Sequence, residues 1–338
     1  MSLAPIVRPL AAAFLLVVSL AHPTQAQPAP RHDALYVFGD SLADVGNVWR
    51  TAQLLGITPA PPPSTSPNLT YFRGRFSNGP VAVEYLWQRL SGHAPGSAGG
   101  LRPWITNPIA TTAALDFAFG GTGTPDMDQT PGGLYAPGLK GQVELFRVAM
   151  AGRTPSRRAL YVISTGANDY RADAYNVPMA PQAVVANIAE SITRLYRLGA
   201  REFVILTLPD LGALPYLSPE QRAQGSAVTA GHNALLAQAV AGLRTQLSKA
   251  TLRLVDANVV FTDLRGRMNA DVPALDTLLL PIDATTPMSA CLFVDVTACR
   301  DVPDGVFDVG GLFLFWDVVH PTTDAHRALA DYMYEQLR

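Results

Sequence analysis

Leu35-Tyr36-Val37-Phe38-Gly39-Asp40-Ser41-Leu42-Ala43-Asp44-Val45-Gly46-Asn47 is the stretch on which the fold turns. Its four leading apolar residues have the length and continuity of a short strand buried on both faces. Gly39, Asp40 and Ser41 end the run, and Leu42 onward has the composition to open a helix. Such a strand–turn–helix puts the Ser41 hydroxyl at the carboxyl edge of a sheet, beside backbone N–H groups without partners. Open α/β sheets build their sites at that edge, and free N–H groups there favour developing negative charge. The same residues read equally as a helix cap, because aspartate and serine are common in turns. Partners further along the chain separate the two readings.

Outward from this stretch, strands and helices alternate. Residues 113–119 have strand character and end at Gly120-Gly121. Leu160 to Ser164 is the clearest central strand, ending in Thr165-Gly166-Ala167-Asn168-Asp169-Tyr170. Phe203 to Leu206 and Leu252 to Val255 follow. Helices are expected from Pro80, from Pro181 with Gly199 at its end, from Pro219 to Leu247, and after a cap at Thr322 or Thr323. Alternation of this kind implies a parallel sheet covered on both sides, the flavodoxin-like three-layer α/β/α sandwich. The stretch between Gly120 and Gly141 is rich in glycine and proline, and forming part of a site is one reason for such a stretch in a compact domain. Ala60 to Pro67 is a proline-rich surface loop. The region from Thr262 to Gly311 is irregular.

A serine hydroxyl needs a base to act as a nucleophile at neutral pH. Of the six histidines, His22 lies in the leader, His32 at the wrong end of the sheet, His93 in a Gly/Ser loop, and His232 and His326 inside helices. His320 differs. It stands in Trp316-Asp317-Val318-Val319-His320-Pro321, before a helix start and three residues after a carboxylate. One turn of chain can then aim both side chains at a neighbour, with Asp317 orienting the imidazole. Acyl transfer also needs oxyanion donors. Backbone N–H groups at Gly120-Gly121 and the side-chain amide of Asn168 are the candidates at strand ends.

Four blocks resemble the GDSL esterase/lipase family of the SGNH hydrolase superfamily: Phe38 to Asn47, Asp116-Phe117-Ala118-Phe119-Gly120-Gly121, Gly166-Ala167-Asn168-Asp169, and Asp317 to His320. Arg75-Phe76-Ser77-Asn78-Gly79 also matches; its expected role is a turn and helix cap. The resemblance implies about five parallel strands, Ser41 as nucleophile, Asp317 and His320 as its triad partners, and no cofactor or metal. It implies an oxyanion hole from the Ser41 N–H, Gly121 N–H and Asn168, with Gly120 the rival of Gly121. The family's second block usually opens on asparagine, where Asp116 stands here. Asp40, Asp44 and Asp169 are expected as caps or braces, and Trp316 as packing or a pocket wall. The nearest likeness is to bacterial phospholipase, lecithinase and haemolysin relatives. Many of those carry a C-terminal outer-membrane barrel; one helix follows His320 here, so no barrel is expected.

Composition narrows the setting. The chain has 338 residues, 48% hydrophobic and 15% charged, with a formal net charge of −2. That suits a packed core, and gives no basic field for nucleic acid. Arg8, the apolar run Leu10 to Ala21 and Thr24-Gln25-Ala26 read as a secretory signal over residues 1–26, cut after Ala26. A membrane anchor is the competing reading, but the run is short for a bilayer. Residues 27–338 are then one hydrolase domain, periplasmic or extracellular. In that compartment Cys291 and Cys299 are expected to pair, two separate thiols being the alternative. The expected partners are an ester substrate and, transiently, a membrane surface; no stable protein partner is implied. A carbohydrate O-acetyl esterase and a catalytically silent binding protein are the rival functions.

Overall fold

In the computed structural model, residues 32–109, 113–130, 133–171, 177–303 and 306–338 are described. The expected signal segment, 1–26, lies outside them. Among the described residues eight strands occur: β1 (Ala34–Gly39), β2 (Arg102–Pro103), β3 (Ala114–Asp116), β4 (Met127–Gln129), β5 (Tyr135–Pro137), β6 (Ala159–Ser164), β7 (Glu202–Leu206) and β8 (Thr251–Val255). Nine α-helices accompany them among the described residues: α1 (Asn47–Leu54), α2 (Ala82–Ser91), α3 (Leu139–Ala149), α4 (Pro181–Arg197), α5 (Pro219–Gln246), α6 (Ala257–Arg265), α7 (Ala274–Leu278), α8 (Cys291–Val294) and α9 (Thr323–Glu335).

Six strands form one sheet in the order β2-β3-β1-β6-β7-β8, parallel throughout. The expected five become six through β2, two residues beside β3 that include a proline and carry no periodicity of their own. β4 and β5 form a separate antiparallel pair. Alternating side chains explain the continuous apolar runs. Leu35 and Val37 of β1 pack with Leu160, Val162 and Val204 under α2, α6 and α9. Tyr36 and Phe38 pack with Tyr161, Ile163 and Phe203 under α3, α4 and α5. Both faces are therefore covered, as in the three-layer sandwich.

A third apolar cluster sits apart from these two layers and is built mostly from loops, with Tyr71, Phe76, Phe119, Leu275, Leu292 and Trp316 at its heart. It encloses the loop that leads into α9.

Several local expectations shift. The helix anticipated from Leu42 begins only at Asn47, because residues 41–46 form turns ending in Gly46 at φ 116°. The strand near 113–119 shortens to β3. Helix α3 was not anticipated, since its start is masked by the glycine- and proline-rich stretch before it. Thr322 does occupy the cap position of α9, but its hydroxyl donates to the Phe313 carbonyl and makes no cap bond.

Strand order decides where a site can form. From β1 the chain turns to one side to make β3 and later crosses to the other side to make β6. β1 is thus the point where the winding reverses, and in open α/β sheets a crevice opens beyond the carboxyl ends of strands at that point. Ser41 follows β1, Gly120-Gly121 follows β3, and Asn168 follows β6.

Candidate active site

Gly39 closes β1 against β6. A side chain there would run into the Ser164 carbonyl, so glycine lets the two strand ends approach. Asp40 N–H donates to Ser164 O (3.2 Å), and Asp40 Oδ1 accepts the Leu42 N–H (3.1 Å). Burial pushes the Asp40 carboxyl up to about 7. The Ser41 N–H is left without a partner among the described residues.

His320 reaches Ser41 from the far end of the chain. Its Nε2 lies 2.8 Å from Ser41 Oγ, and its Nδ1 lies 2.7 Å from Asp317 Oδ2. All three residues are buried, Asp317 completely. The turn forms locally for a clear reason: Asp317 Oδ1 accepts the N–H groups of Val319 (2.8 Å) and His320 (2.7 Å), an aspartate turn in which the carboxylate replaces a backbone carbonyl. Trp316 N–H donates to His320 O (2.8 Å) and closes the turn. One carboxylate therefore both shapes the turn and fixes the ring.

Tyr71 completes the acid's surroundings and was not anticipated. Its hydroxyl donates to Asp317 Oδ2 at 2.7 Å, within a fully buried environment. Burial, and then the Asp317 charge, hold the phenol pKa well above its ordinary value, so the group stays a donor. Asp317 thus accepts four hydrogen bonds. Desolvating a charge without such partners is costly.

The segment expected to be only a turn and helix cap does more. Arg75 pairs with Glu84 (2.6 Å), whose Oε2 also accepts the Val81 N–H at the start of α2. Beyond that capping role, the Phe76 ring centroid stands 5.2 Å from that of His320, Ser77 Oγ donates to Pro321 O (2.8 Å), and Asn78 Oδ1 accepts the Thr323 N–H (2.8 Å). The segment thus holds the histidine turn at His320, Pro321 and Thr323. Phe293 of α8 also stacks on the imidazole, with centroids 5.9 Å apart at 17°. α8 is held by the Cys291–Cys299 disulfide, which forms as expected. Closing so short a loop contributes roughly 2–3 kcal/mol.

The structure separates the two glycines. Gly120 N–H donates to Asp44 Oδ2 at 2.9 Å. Gly121, at φ 80°, has an N–H with no partner among the described residues. A positive φ of this size suits glycine. Asp44 also accepts N–H bonds from Gly46 (2.7 Å), Asn47 (2.6 Å) and Val48 (3.2 Å), fastening the start of α1 to the glycine loop. Asp116 does the complementary work. It accepts from Val45 N–H (2.8 Å), Ala118 N–H (2.8 Å) and Asn47 Nδ2 (3.2 Å). Burial, then the charge of Asp44, push its carboxyl well above the usual range. Asp169 accepts from the Thr124 hydroxyl at 2.7 Å. Asp44 and Asp169 are braces, as expected, and Asp116 joins them. No cluster suited to a metal occurs among the described residues.

Asn168 Nδ2 donates to Thr122 O (3.1 Å), leaving its second amide hydrogen for a ligand. Ser41, Gly121, Asn168 and His320 share the wall of a cavity of about 530 Å³. The rest of its lining is mostly apolar and includes Val48, Phe76, Met179, Leu214, Leu217, Val228 and Phe293. Trp316 is not part of that wall. It is core, fully buried, with Nε1 donating to Thr70 O (3.2 Å).

Residues 35–333 match the profile of the family described as GDSL-like Lipase/Acylhydrolase. The chain belongs to that family. A GDSL esterase/lipase of Arabidopsis thaliana is 28% identical, over 91% of this chain and 89% of its own length. The phosphatidylcholine-sterol acyltransferase of Aeromonas hydrophila is 26% identical, over 90% of each chain. Among solved structures, an acetylxylan esterase (Axe2) of Geobacillus stearothermophilus is 14% identical, with 90% of this chain and 94% of that one covered and a TM-score of 0.43. Membership makes this GDSL-like lipase/acylhydrolase an ester hydrolase of the esterase/lipase kind. Among its described residues, no helix is long and apolar enough to cross a membrane.

Proposed function

We propose that the chain is an exported serine esterase acting on acyl esters of lipid type, with Ser41, His320 and Asp317 as its triad. Ser41 Oγ attacks the ester carbonyl while His320 Nε2 takes its proton. The carbonyl oxygen becomes an oxyanion bonded by the Ser41 N–H, the Gly121 N–H and Asn168 Nδ2. His320 then returns the proton to the leaving alkoxide, and an acyl-enzyme remains on Ser41. Water, deprotonated by His320, releases the acid by the same steps in reverse order. Asp317 orients the ring and stabilises the imidazolium without itself taking the proton.

The observation that carries the lipid reading is the cavity beside Ser41 Oγ. Its roughly 530 Å³ fall within the range of about 300–1,000 Å³ typical of ligand sites. An acetyl group would leave most of it unfilled. Each methylene buried there contributes about 0.8 kcal/mol, or up to about a fourfold gain in kcat/KM per carbon. On p-nitrophenyl esters from acetate to dodecanoate, kcat/KM is expected to rise to a medium or long chain. Val228→Trp, which places bulk in the cavity wall, should cut octanoate turnover more than tenfold while leaving acetate within about twofold. A series that peaks at acetate would favour the carbohydrate O-acetyl esterase instead.

The match to the Aeromonas acyltransferase supports placing the chain with bacterial phospholipase- and haemolysin-like members. Residues 27–338 would then form one domain, consistent with a site drawing on both ends of it. Residues 1–26 support export, as does the disulfide. Mature protein beginning at Gln27 outside the cytoplasm is the expected finding; a cytoplasmic chain retaining Met1 would refute export.

A further inference from the structure

Arg171 stands immediately beyond the Gly166-to-Tyr170 strand end, and no chemistry was attached to it from the sequence. Its Nη1 donates to Asn168 Oδ1 (3.0 Å) and to Gly121 O (3.2 Å), and its Nη2 donates to Gln129 O (3.0 Å). One guanidinium thus touches both residues that supply the oxyanion donors not belonging to Ser41. We propose that Arg171 is a positioning residue for the oxyanion hole, clamping Gly121 to Asn168 and fixing which end of the Asn168 amide faces the substrate. The proposal rests on the donor assignment given above.

The physical case is one of donors and acceptors. An asparagine amide is nearly symmetrical in shape, and flipping it exchanges a donor for an acceptor. A flipped Asn168 would aim its oxygen at the oxyanion and repel it. Two neighbours forbid the flip. The Thr122 carbonyl can only accept, and it lies 3.1 Å from Asn168 Nδ2. The Arg171 guanidinium can only donate, and it holds Oδ1. Without Arg171, the Thr122 contact alone would have to hold the amide. The second Nη1 contact holds the Gly121 carbonyl, in the peptide next to the one that bears the Gly121 N–H, and so limits rotation of the glycine loop about that residue. Arginine suits the task because its fork reaches several carbonyls at once and stays charged throughout the working pH range. Arg171 also lines the cavity, so its charge adds a favourable field where negative charge develops.

The test is a double-mutant cycle on p-nitrophenyl acetate, with Asn168→Ala, Arg171→Ala and the double variant. Asn168→Ala is expected to lower kcat about 10²–10³-fold with KM nearly unchanged. Arg171→Ala should lower kcat about 10–10²-fold, again with KM nearly unchanged and with the same loss across pH 6 to 9. In the double variant the combined loss should fall clearly short of the product of the two single losses, because the Asn168 amide, one of the groups Arg171 holds, is gone while Gly121 remains. Arg171→Lys keeps the charge but not the fork, and should recover only part of the loss. Should Arg171→Ala fail to fold, the cycle is run with Arg171→Lys. Fully multiplicative losses, or a change confined to KM, would overturn the proposal while leaving the donor assignment standing. An Asn168→Ala variant with wild-type kcat would instead overturn the donor assignment itself.

Discussion

Ser41→Ala is expected to lose ester turnover by a factor on the order of 10⁴–10⁶ while keeping its fold. The hydroxyl has one hydrogen-bond partner, His320 Nε2 at 2.8 Å, and faces a cavity. Its loss removes the atom that the proposed mechanism uses to attack the carbonyl. It removes little packing, since one oxygen goes and the Cβ stays. The stability cost should not exceed that of one hydrogen bond, about 0.5–1.5 kcal/mol. The measurement is kcat/KM on p-nitrophenyl acetate alongside thermal melting. A folded variant retaining a tenth of wild-type activity would end the nucleophile assignment.

His320→Ala should fall nearly as far, on the order of 10⁴-fold or more, because no other base lies beside Ser41 Oγ among the described residues. Asp317→Asn should follow with a loss on the order of 10³–10⁴. At sequence level, the three-residue spacing suggests a milder effect, since the turn alone could hold the ring. The hydrogen bonds argue otherwise. All four partners of Asp317 are donors: Tyr71 Oη, His320 Nδ1 and two backbone N–H groups. An asparagine must aim its NH₂ at one pair of donors whichever way it turns. Facing the ring, it forces His320 to carry its proton on Nε2, where the serine proton should go. Facing the backbone, it breaks the turn. The same kinetic assay decides it, and an Asp317→Asn variant within threefold of wild type would remove Asp317 from the triad.

What could be read from the sequence divides along physical lines. β1, β6, β7 and β8 are apolar runs because both their faces are buried, and that signal is local. Asp317 and His320 were legible because the turn that joins them is three residues long. Ser41 was legible from the strand that precedes it. Tyr71, by contrast, sits just past the proline-rich loop, 246 residues before the acid it contacts, and nothing near it marks the partner. Phe293 was hidden likewise in an irregular region. β2 escaped notice because two residues have no period to read. Gly120 and Gly121 could not be told apart in sequence, since the difference lies in which N–H the distant Asp44 takes.

Ser41 and His320 are 279 residues apart, and their hydrogen bond exists only when nearly the whole chain has closed on itself. Contacts of such long range form late and slowly compared with helices and neighbouring strands. Activity in this protein is therefore a clock for the last folding event. During refolding from denaturant, ester hydrolysis should return measurably later than far-ultraviolet ellipticity, and trypsin cuts that release α9 should silence the enzyme while the β1-to-β7 core still resists digestion. Simultaneous recovery of both signals would mean that the two ends of the chain meet early. If the delay is found, an incompletely folded chain is also a harmless one, since hydrolysis begins only once folding has ended.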